Sequence, residues 1–212
     1  MQYKHYKQRG FTLTEMAIVV VLGGILLAAG LMAGRGQISR AQTQDVLQIV
    51  GDLQTASASF KQRYGYLPGD WIFAANQIQN VAASPGNGDG AIAGTMTAAG
   101  LAAAGSELEA APEHLFQAGL MGKRGTNVQM RMQSQFGAVH MAAATAANTS
   151  AAYIAPTANP GVRNVIVFFN LPCEVVIDVD RALDDGVATT GRAQSSAACL
   201  PGFNATRYFV PL

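Results

Sequence analysis

The chain has 212 residues, of which 50% are hydrophobic and 13% are charged, and its formal net charge is +1. A nucleic-acid-binding protein would be expected to carry a basic face or stripe, and this composition argues against that class. The roughly 150 residues beyond the first helix are enough for one small domain with a modest core.

The N-terminus combines a basic leader with a long apolar run that begins with one carboxylate. The leader contains no acidic residue, and its basic residues are Lys4, Lys7 and Arg9. Gly10-Phe-Thr-Leu-Thr-Glu15 follows, and the next run, 16–33, has no charged residue. An ionisable side chain inside a membrane segment costs roughly 2.5–3.5 kcal/mol on insertion scales, so Glu15 is predicted to be functional.

The apolar run is long enough to cross a bilayer. Its 18 residues give about 27 Å of helix, and adding 11–13 brings it to the thickness of the hydrocarbon core, about 30 Å. The alternative is an ordinary secretory signal cleaved near Ala-Gly-Leu-Met-Ala-Gly at 29–34, but such a signal leaves Glu15 unexplained. The basic leader predicts a cytoplasmic N-terminus and export of everything after about residue 35.

These features resemble the prepilin leader of type IV pilins and type II secretion pseudopilins. In that family a membrane peptidase cleaves after the glycine and methylates the new N-terminal residue. The resemblance therefore implies cleavage after Gly10 and methylation of Phe11, which would leave 11 basic and 13 acidic side chains. A carboxylate in a membrane stays charged only if it is paired. The resemblance implies that Glu15 attracts the N-terminal amine of another subunit in a filament; a lone glutamate that snorkels to the interface is the alternative.

The membrane helix is expected to continue to about Tyr64. Apolar residues recur there at spacings of three and four, as on one face of a helix: Val46, Ile49, Val50, Leu53, Ala56 and Phe60. In the pilin fold the first half of this helix protrudes and the second half packs on the globular domain. Glycines within 23–36 weaken the helix, each by up to ~1 kcal/mol relative to Ala, and predict local unwinding there on assembly.

The segment after the helix carries turn signals. Gly65 suits a position just past a helix C-terminus, and Pro68-Gly69 is typical of a turn. Residues 64–70 resemble the Tyr-x-x-Leu-Pro-Gly-Asp of one group of prepilin-like proteins. Three further fragments resemble that group: a glycine loop at 86–90, a short helix at 113–120, and a helix ending in Asp-Asp-Gly at 177–186. The Ala/Thr/Asn-rich residues 91–111 and 138–160 are predicted to be variable surface loops.

Strand patterns come late in the chain. Residues 128–136 alternate with a period of two, 165–169 read as a short buried strand, and 207–212 as a closing edge strand. Residues 172–185 fit a strand or a helix, and the family resemblance favours a helix. The expected class is α+β with a type IV pilin fold: a long N-terminal helix with a transmembrane first half, packed on a small antiparallel β-sheet, and a C-terminal disulfide loop.

Cys173 and Cys199 are the two cysteines of the sequence. In an oxidising compartment such a pair predicts a disulfide, and closing a loop of about 25 residues would stabilise the fold by roughly 3–3.5 kcal/mol. A metal site is the alternative, but the histidines, His5, His114 and His140, are scattered. The pair also resembles the C-terminal disulfide loop of many pilins.

Two acidic segments raise the question of calcium. Residues 86–90 do not match an EF-type loop, because Pro85 and Met96 would occupy its ligand positions 1 and 12, so a tight turn is predicted instead. A second cluster would either bind calcium or consist of solvated helix-end acids: Asp178, Asp180, Asp184 and Asp185. If this segment is helical, Asp178 and Arg181 lie at i,i+3 and would pair.

Catalytic motifs are missing from the sequence. It contains no Gly-x-Ser-x-Gly, His-Glu-x-x-His or Walker A pattern, and no cofactor is expected. His114 lies in an amphipathic segment and is predicted to be a surface or capping histidine. Trp71 and Phe73 are predicted to pack at the base of the first helix, with a contact between subunits as the alternative.

We therefore expect a leader peptide at 1–10, a transmembrane and assembly segment at 11–34, and a periplasmic or extracellular globular domain at 35–212. The expected function is that of a structural, non-enzymatic subunit, major or minor, of a type IV pilus-like filament. Its expected partners are other pilins, the prepilin peptidase, an inner-membrane assembly platform and the lipid bilayer. The expected location is the bacterial inner membrane, single-pass, followed by a surface pilus or a periplasmic pseudopilus. The alternatives are a secretion pseudopilin and a membrane-anchored periplasmic enzyme or ligand-binding module.

Overall fold

A computed structural model describes residues 10–81, 85–97, 99–122, 132–145 and 161–212, without the side chains of 31–36. The helices are α1 (Leu13–Tyr64), α2 (Glu107–Gln117) and α3 (Cys173–Leu183), and the strands are β1 (Val139–Ala143), β2 (Asn164–Pro172), β3 (Gln194–Ser195) and β4 (Asn204–Pro211). The chain divides into two compact units, Met1–Ala41 and Gln42–Leu212.

The first unit consists, in its described part, of the start of α1. The helix begins at Leu13 and continues through the glycines between 23 and 36, so the weak segment is helical in this single chain. Among the described residues, Leu13–Gly30 is the one helical stretch that is long and apolar enough to cross a membrane. Its large apolar side chains are exposed, which is what a lipid-facing surface requires.

The second unit contains the rest of α1, and here the predicted apolar stripe is confirmed. All six residues of the stripe are buried: Val46, Ile49, Val50, Leu53, Ala56 and Phe60. Two polar side chains of α1 also reach the sheet, because Gln54 donates to the Pro211 carbonyl at 2.9 Å and the Ser57 hydroxyl lies 3.2 Å from the Met141 sulfur. The helix ends as expected at Tyr64, where the Gly65 N–H donates to the Lys61 carbonyl at 2.8 Å.

The strands form one antiparallel sheet in the order β1-β2-β4-β3. The register pairs His140 with Val167 across β1 and β2, and Phe168 with Tyr208 across β2 and β4. The predicted strand at 165–169 is confirmed as the centre of β2. The segment 207–212 is extended as predicted, but it is not an edge, since β3 pairs with it at Tyr208 and Phe209.

Two loop predictions and one strand prediction were wrong for part of the residues that the structure describes. Residues 139–143, expected in a surface loop, form β1, and all five residues are buried because β1 pairs with β2, meets α1 at Met141 and donates its Ala143 N–H to the Ile92 carbonyl at 2.7 Å. The part of the predicted strand that is described, 132–136, instead enters a turn in which the Ser134 N–H donates to the Gly137 carbonyl at 2.9 Å. The Ser134 hydroxyl accepts the N–H groups of Phe136 and Gly137, and so competes with strand pairing. Residues 128–131 and 146–160 lie outside the described ranges.

The segment 91–111 is not a surface loop throughout. Ile92, Met96 and Leu108 are buried in the core, and α2 begins at Glu107 rather than near 113. Ser106 sets this start, because its hydroxyl accepts the Glu109 N–H at the N-terminus of the helix.

The helix predicted at 172–185 is confirmed as α3. It follows β2 directly, and the expected Asp178–Arg181 pair is present with an N···O distance of 3.1 Å. The predicted disulfide is also confirmed. It joins Cys173, the first residue of α3, to Cys199, and the two Cα atoms are 5.1 Å apart.

Candidate functional site

The residues around Glu15 form a closed group of hydrogen bonds at the start of α1. The Glu15 carboxylate accepts the Thr12 N–H at 2.8 Å and the Thr12 hydroxyl at 2.7 Å, both at Oε2. The Thr12 hydroxyl in turn accepts the Glu15 N–H at 3.3 Å. Thr-Leu-Thr-Glu thus forms a capping box, in which the first and fourth residues satisfy each other's backbone N–H groups.

This capping box accounts for a threonine three residues before the glutamate. Thr12 lies just before the first helical residue and acts as the N-cap, and Glu15 is the third residue of the helix. An acidic side chain in the first turn also interacts favourably with the positive end of the helix dipole. The sequence predicts an intersubunit role for Glu15, with a lone snorkelling glutamate as the alternative, and in the structure Glu15 also caps its own helix.

Phe11 and Gly10 lie immediately before the capping box. The Phe11 side chain is 83% exposed, and no described residue lies within 4 Å of the position that a Cβ on Gly10 would take. The step at which the prepilin resemblance predicts cleavage and methylation therefore precedes the helix, and the described residues leave it uncovered. The basic leader residues lie outside the described ranges.

A second notable group surrounds His114, which is buried rather than at the surface as predicted. Its Nδ1 accepts the Gly69 N–H at 2.9 Å. The ring stacks on Phe60 with 5.9 Å between ring centroids, and it contacts the rings of Trp71 and Phe73 edge to face. Burial lowers the pKa of His114 to about 4, so the imidazole is neutral above that pH. Trp71 and Phe73 pack against the end of α1, as predicted.

Asp70 anchors the glycine loop at 86–90. The residue is 1% exposed, and its carboxylate accepts the N–H groups of Gly88 at 2.7 Å, Asp89 at 3.1 Å and Gly90 at 2.6 Å. The turn predicted for this loop is therefore present, with an anchor that comes from a distant part of the chain.

Glu107 is a second buried carboxylate beside this loop. It accepts the N–H groups of Asn87 at 3.0 Å and Ala93 at 2.7 Å. Burial raises its pKa, and these hydrogen bonds partly oppose the shift. The roles of both acids were not predictable from the residues around them. The spacing of the loop glycines indicated a turn, but no local signal identified the acid that holds it.

The acids 178–185 are occupied by protein partners. Asp180 is fully buried and accepts the Tyr208 hydroxyl proton at 2.9 Å, while burial raises the pKa values of both side chains. Asp184 accepts the N–H groups of Arg192 and Ala193. Asp185 accepts the Val187 N–H at 2.8 Å and the Thr190 hydroxyl at 2.6 Å. These carboxylates shape the loop after α3.

Within the ranges that the structure describes, no three His, Cys, Asp or Glu side chains are grouped so that they would hold a metal ion. His140, the other buried histidine, lies with Nε2 2.7 Å from the Gly100 carbonyl, and its pKa is lowered by burial. The two described histidines therefore serve packing and backbone hydrogen bonding.

Comparison with known proteins points to the N-terminal segment. The family model described as "Prokaryotic N-terminal methylation motif" matches residues 5–31. The chain is 29% identical to the Fimbrial protein EcpC of Eikenella corrodens over an alignment of 102 residues that covers 45% of this chain and 67% of that protein. No solved structure gives a significant match. The chain thus carries a prokaryotic N-terminal methylation motif and is similar over part of its length to a fimbrial protein.

Proposed function

We propose that this chain, with its prepilin-type methylation motif, is a structural subunit of a type IV pilus-like filament. In this proposal it is held in the inner membrane by α1, cleaved after Gly10, methylated at Phe11 and then assembled with other pilins. The prepilin peptidase and an inner-membrane assembly platform would act on it in turn. The division into a leader at 1–10, an assembly segment at 11–34 and a globular domain at 35–212 belongs to the same proposal.

One observation carries the proposal: a single carboxylate, Glu15, stands at the head of an exposed apolar helix inside the matched methylation motif. An apolar face of this kind must be covered by lipid or by other apolar helices, and the first state suits a membrane intermediate and the second a filament. A charged Glu15 carboxylate costs free energy both in the membrane and among the helices of a filament. The state in which a cationic group pairs with this carboxylate is therefore the more stable one.

Cleavage after Gly10 would supply such a cation. The new terminus is the amine of Phe11, four residues before Glu15 and just outside the capping box. In its own chain the carboxylate is already engaged by Thr12. We therefore infer that the amine of another subunit approaches the face of the carboxylate that Thr12 does not cover, and that this contact fixes the axial register of the two helices.

The capping box allows the two roles of Glu15 to be separated by experiment. Glu15→Gln keeps a side chain that serves at this position of a capping box but removes the negative charge. Thr12→Ala removes the hydroxyl of the capping box and keeps the charge. We expect Glu15→Gln and Glu15→Ala to abolish filaments in electron micrographs of sheared surface material, whereas Thr12→Ala retains them at reduced yield.

Membrane fractionation provides the control, since all three variants should still insert. Mass spectrometry of each mature chain should find methylated Phe11 at the N-terminus. Normal filaments from Glu15→Gln would refute charge pairing and leave helix capping as the role of Glu15. A mature chain that begins elsewhere than Phe11 would refute the proposed processing.

A further inference from the structure

The glycine loop contains two dipeptides that are chemically fragile in flexible chains. Asn87-Gly88 is the sole Asn-Gly step in the sequence, and Asp89-Gly90 follows it directly. At such steps the backbone nitrogen of the glycine attacks the side-chain Cγ of the preceding residue. The C–N bond that forms closes a succinimide ring. The glycine N–H proton passes through solvent to the leaving group, which departs as ammonia from Asn or as water from the protonated carboxyl of Asp. Water then opens the ring to aspartate or isoaspartate.

Both attacking nitrogens are engaged by one carboxylate. The Gly88 N–H donates to Asp70 Oδ1 at 2.7 Å and the Gly90 N–H donates to Asp70 Oδ2 at 2.6 Å. A nitrogen must lose its proton to become the nucleophile. A charge-assisted hydrogen bond stabilises the protonated form, and it also fixes the direction in which the nitrogen points.

Both target side chains are held as well. Asn87 Oδ1 accepts the Asp89 N–H at 2.9 Å, and Asp89 Oδ1 accepts the Ala91 N–H at 2.7 Å. Each side chain is therefore bonded to the amide two residues ahead, one position beyond the nitrogen that would attack it. Rotation of Cγ toward Gly88 or Gly90 would break this bond.

Asp70 is in turn rigidly placed. It is 1% exposed, and it lies between Gly69, which donates to His114, and Trp71, which packs in the aromatic group. On the other side of the loop Glu107 holds the Asn87 N–H at 3.0 Å. The backbone of the loop is thus fixed from two directions.

We propose that Asp70 protects the Asn87-Gly88 and Asp89-Gly90 steps from succinimide formation. The buried carboxylate withholds both glycine nitrogens from the side chains they would otherwise attack. The loop needs Gly88 and Gly90 for their backbone conformation, and these glycines make succinimide formation easy. Asp70 suppresses this reaction. The inference rests on the geometry of the second unit and is independent of filament assembly.

The test measures isoaspartate and deamidation at residues 87 and 89. The full chain, purified in detergent, is aged in mildly alkaline buffer and digested, and the peptides are quantified by mass spectrometry and by enzymatic labelling of isoaspartate. We expect Asp70→Asn to accelerate modification at both positions about tenfold, as loss of a hydrogen bond to a charged group would allow. Because this variant would also loosen the fold, wild-type chain in urea provides a second measurement, and it should modify at least as fast as the variant.

Two controls separate the proposal from general loosening. Replacing Cys173 and Cys199 by serine loosens the second unit but leaves the Gly88 and Gly90 nitrogens on Asp70, so modification should stay near the wild-type rate. The Asp185-Gly186 step, elsewhere in the second unit, should not change in Asp70→Asn. Equal acceleration in the chain without the disulfide, or equal rates for folded and unfolded wild type, would overturn the proposal. A slower rate in Asp70→Asn would also overturn it, since Asp70 would then act as a base toward the Gly88 N–H.

Discussion

The buried imidazole of His114 makes the stability of the second unit depend on pH. Burial lowers its pKa from the ordinary value of 6.5 to about 4 in the folded chain, and a protonated ring could not accept the Gly69 N–H. Because the unfolded chain binds the proton more tightly, this group destabilises the fold as the pH falls from 6.5 toward 4. The full loss amounts to about 3 kcal/mol, and about 2 kcal/mol of it should appear between pH 7 and about pH 4.5.

Urea unfolding of the full chain in detergent would measure this loss directly. Trp71 is the single tryptophan of the sequence, and its ring centroid lies 6.2 Å from that of His114, so its fluorescence reports on the same group. The matched variant is His114→Asn, whose side-chain oxygen would replace Nδ1 as the acceptor and does not titrate. It should be less stable than wild type at neutral pH, because it loses the ring packing on Phe60.

The test compares how much free energy of unfolding wild type and His114→Asn each lose between pH 7 and about pH 4.5. Other buried groups also titrate: His140 adds a loss of the same sign, while the raised pKa of Glu107 works in the opposite direction. These contributions are common to both proteins and cancel. Wild type should therefore lose about 2 kcal/mol more than His114→Asn on acidification. Equal losses in the two proteins would refute the assignment of the pH dependence to His114.

Two further changes test the disulfide and the turn at Gly69. Replacing Cys173 and Cys199 by serine should lower the free energy of unfolding by roughly 3 kcal/mol, measured by urea titration, and an unchanged midpoint would contradict a stabilising bond. Gly69→Ala should destabilise more than Gly65→Ala in thermal unfolding: both glycines have positive φ, +89° and +82°, but only at Gly69 would a Cβ run into a neighbouring backbone atom, the Glu107 carbonyl oxygen. Equal melting temperatures for the two variants would contradict this.

Features with a regular period or a strong local signal were predictable from the sequence. The stripe from Val46 to Phe60 repeats with helical spacing, and a buried helix face is what that spacing requires. The disulfide followed from cysteine number and compartment. The strand at 165–169 was predictable because it is a short run of β-branched and aromatic residues, a composition that favours a strand buried on both faces.

Features that depend on distant partners were not predictable. His114 looks like a surface residue in its own helix, and it is buried because the Gly69 turn and the Phe60 ring arrive from elsewhere. Residues 139–143 have no alternation of polar and apolar side chains, since β1 is covered on both faces. The position of β4 inside the sheet depends on the two-residue β3, which is too short to leave a pattern. The link from Asp70 to the loop at 86–90 is likewise a tertiary contact.

The disulfide also decides how the chain would respond to mechanical load. Cys173 begins α3 and Cys199 stands shortly before β4, so a force carried along the backbone passes through the sulfur bridge and bypasses everything between them. The bypassed segment spans a sequence separation of 26, equivalent to roughly 90 Å of extended chain. A stretched molecule with the bond intact would therefore lengthen by that much less than a reduced one. Helix α3 and the residues of β3 would carry no tension while the rest of the backbone is pulled straight, although β3 would lose its pairing when β4 leaves the sheet.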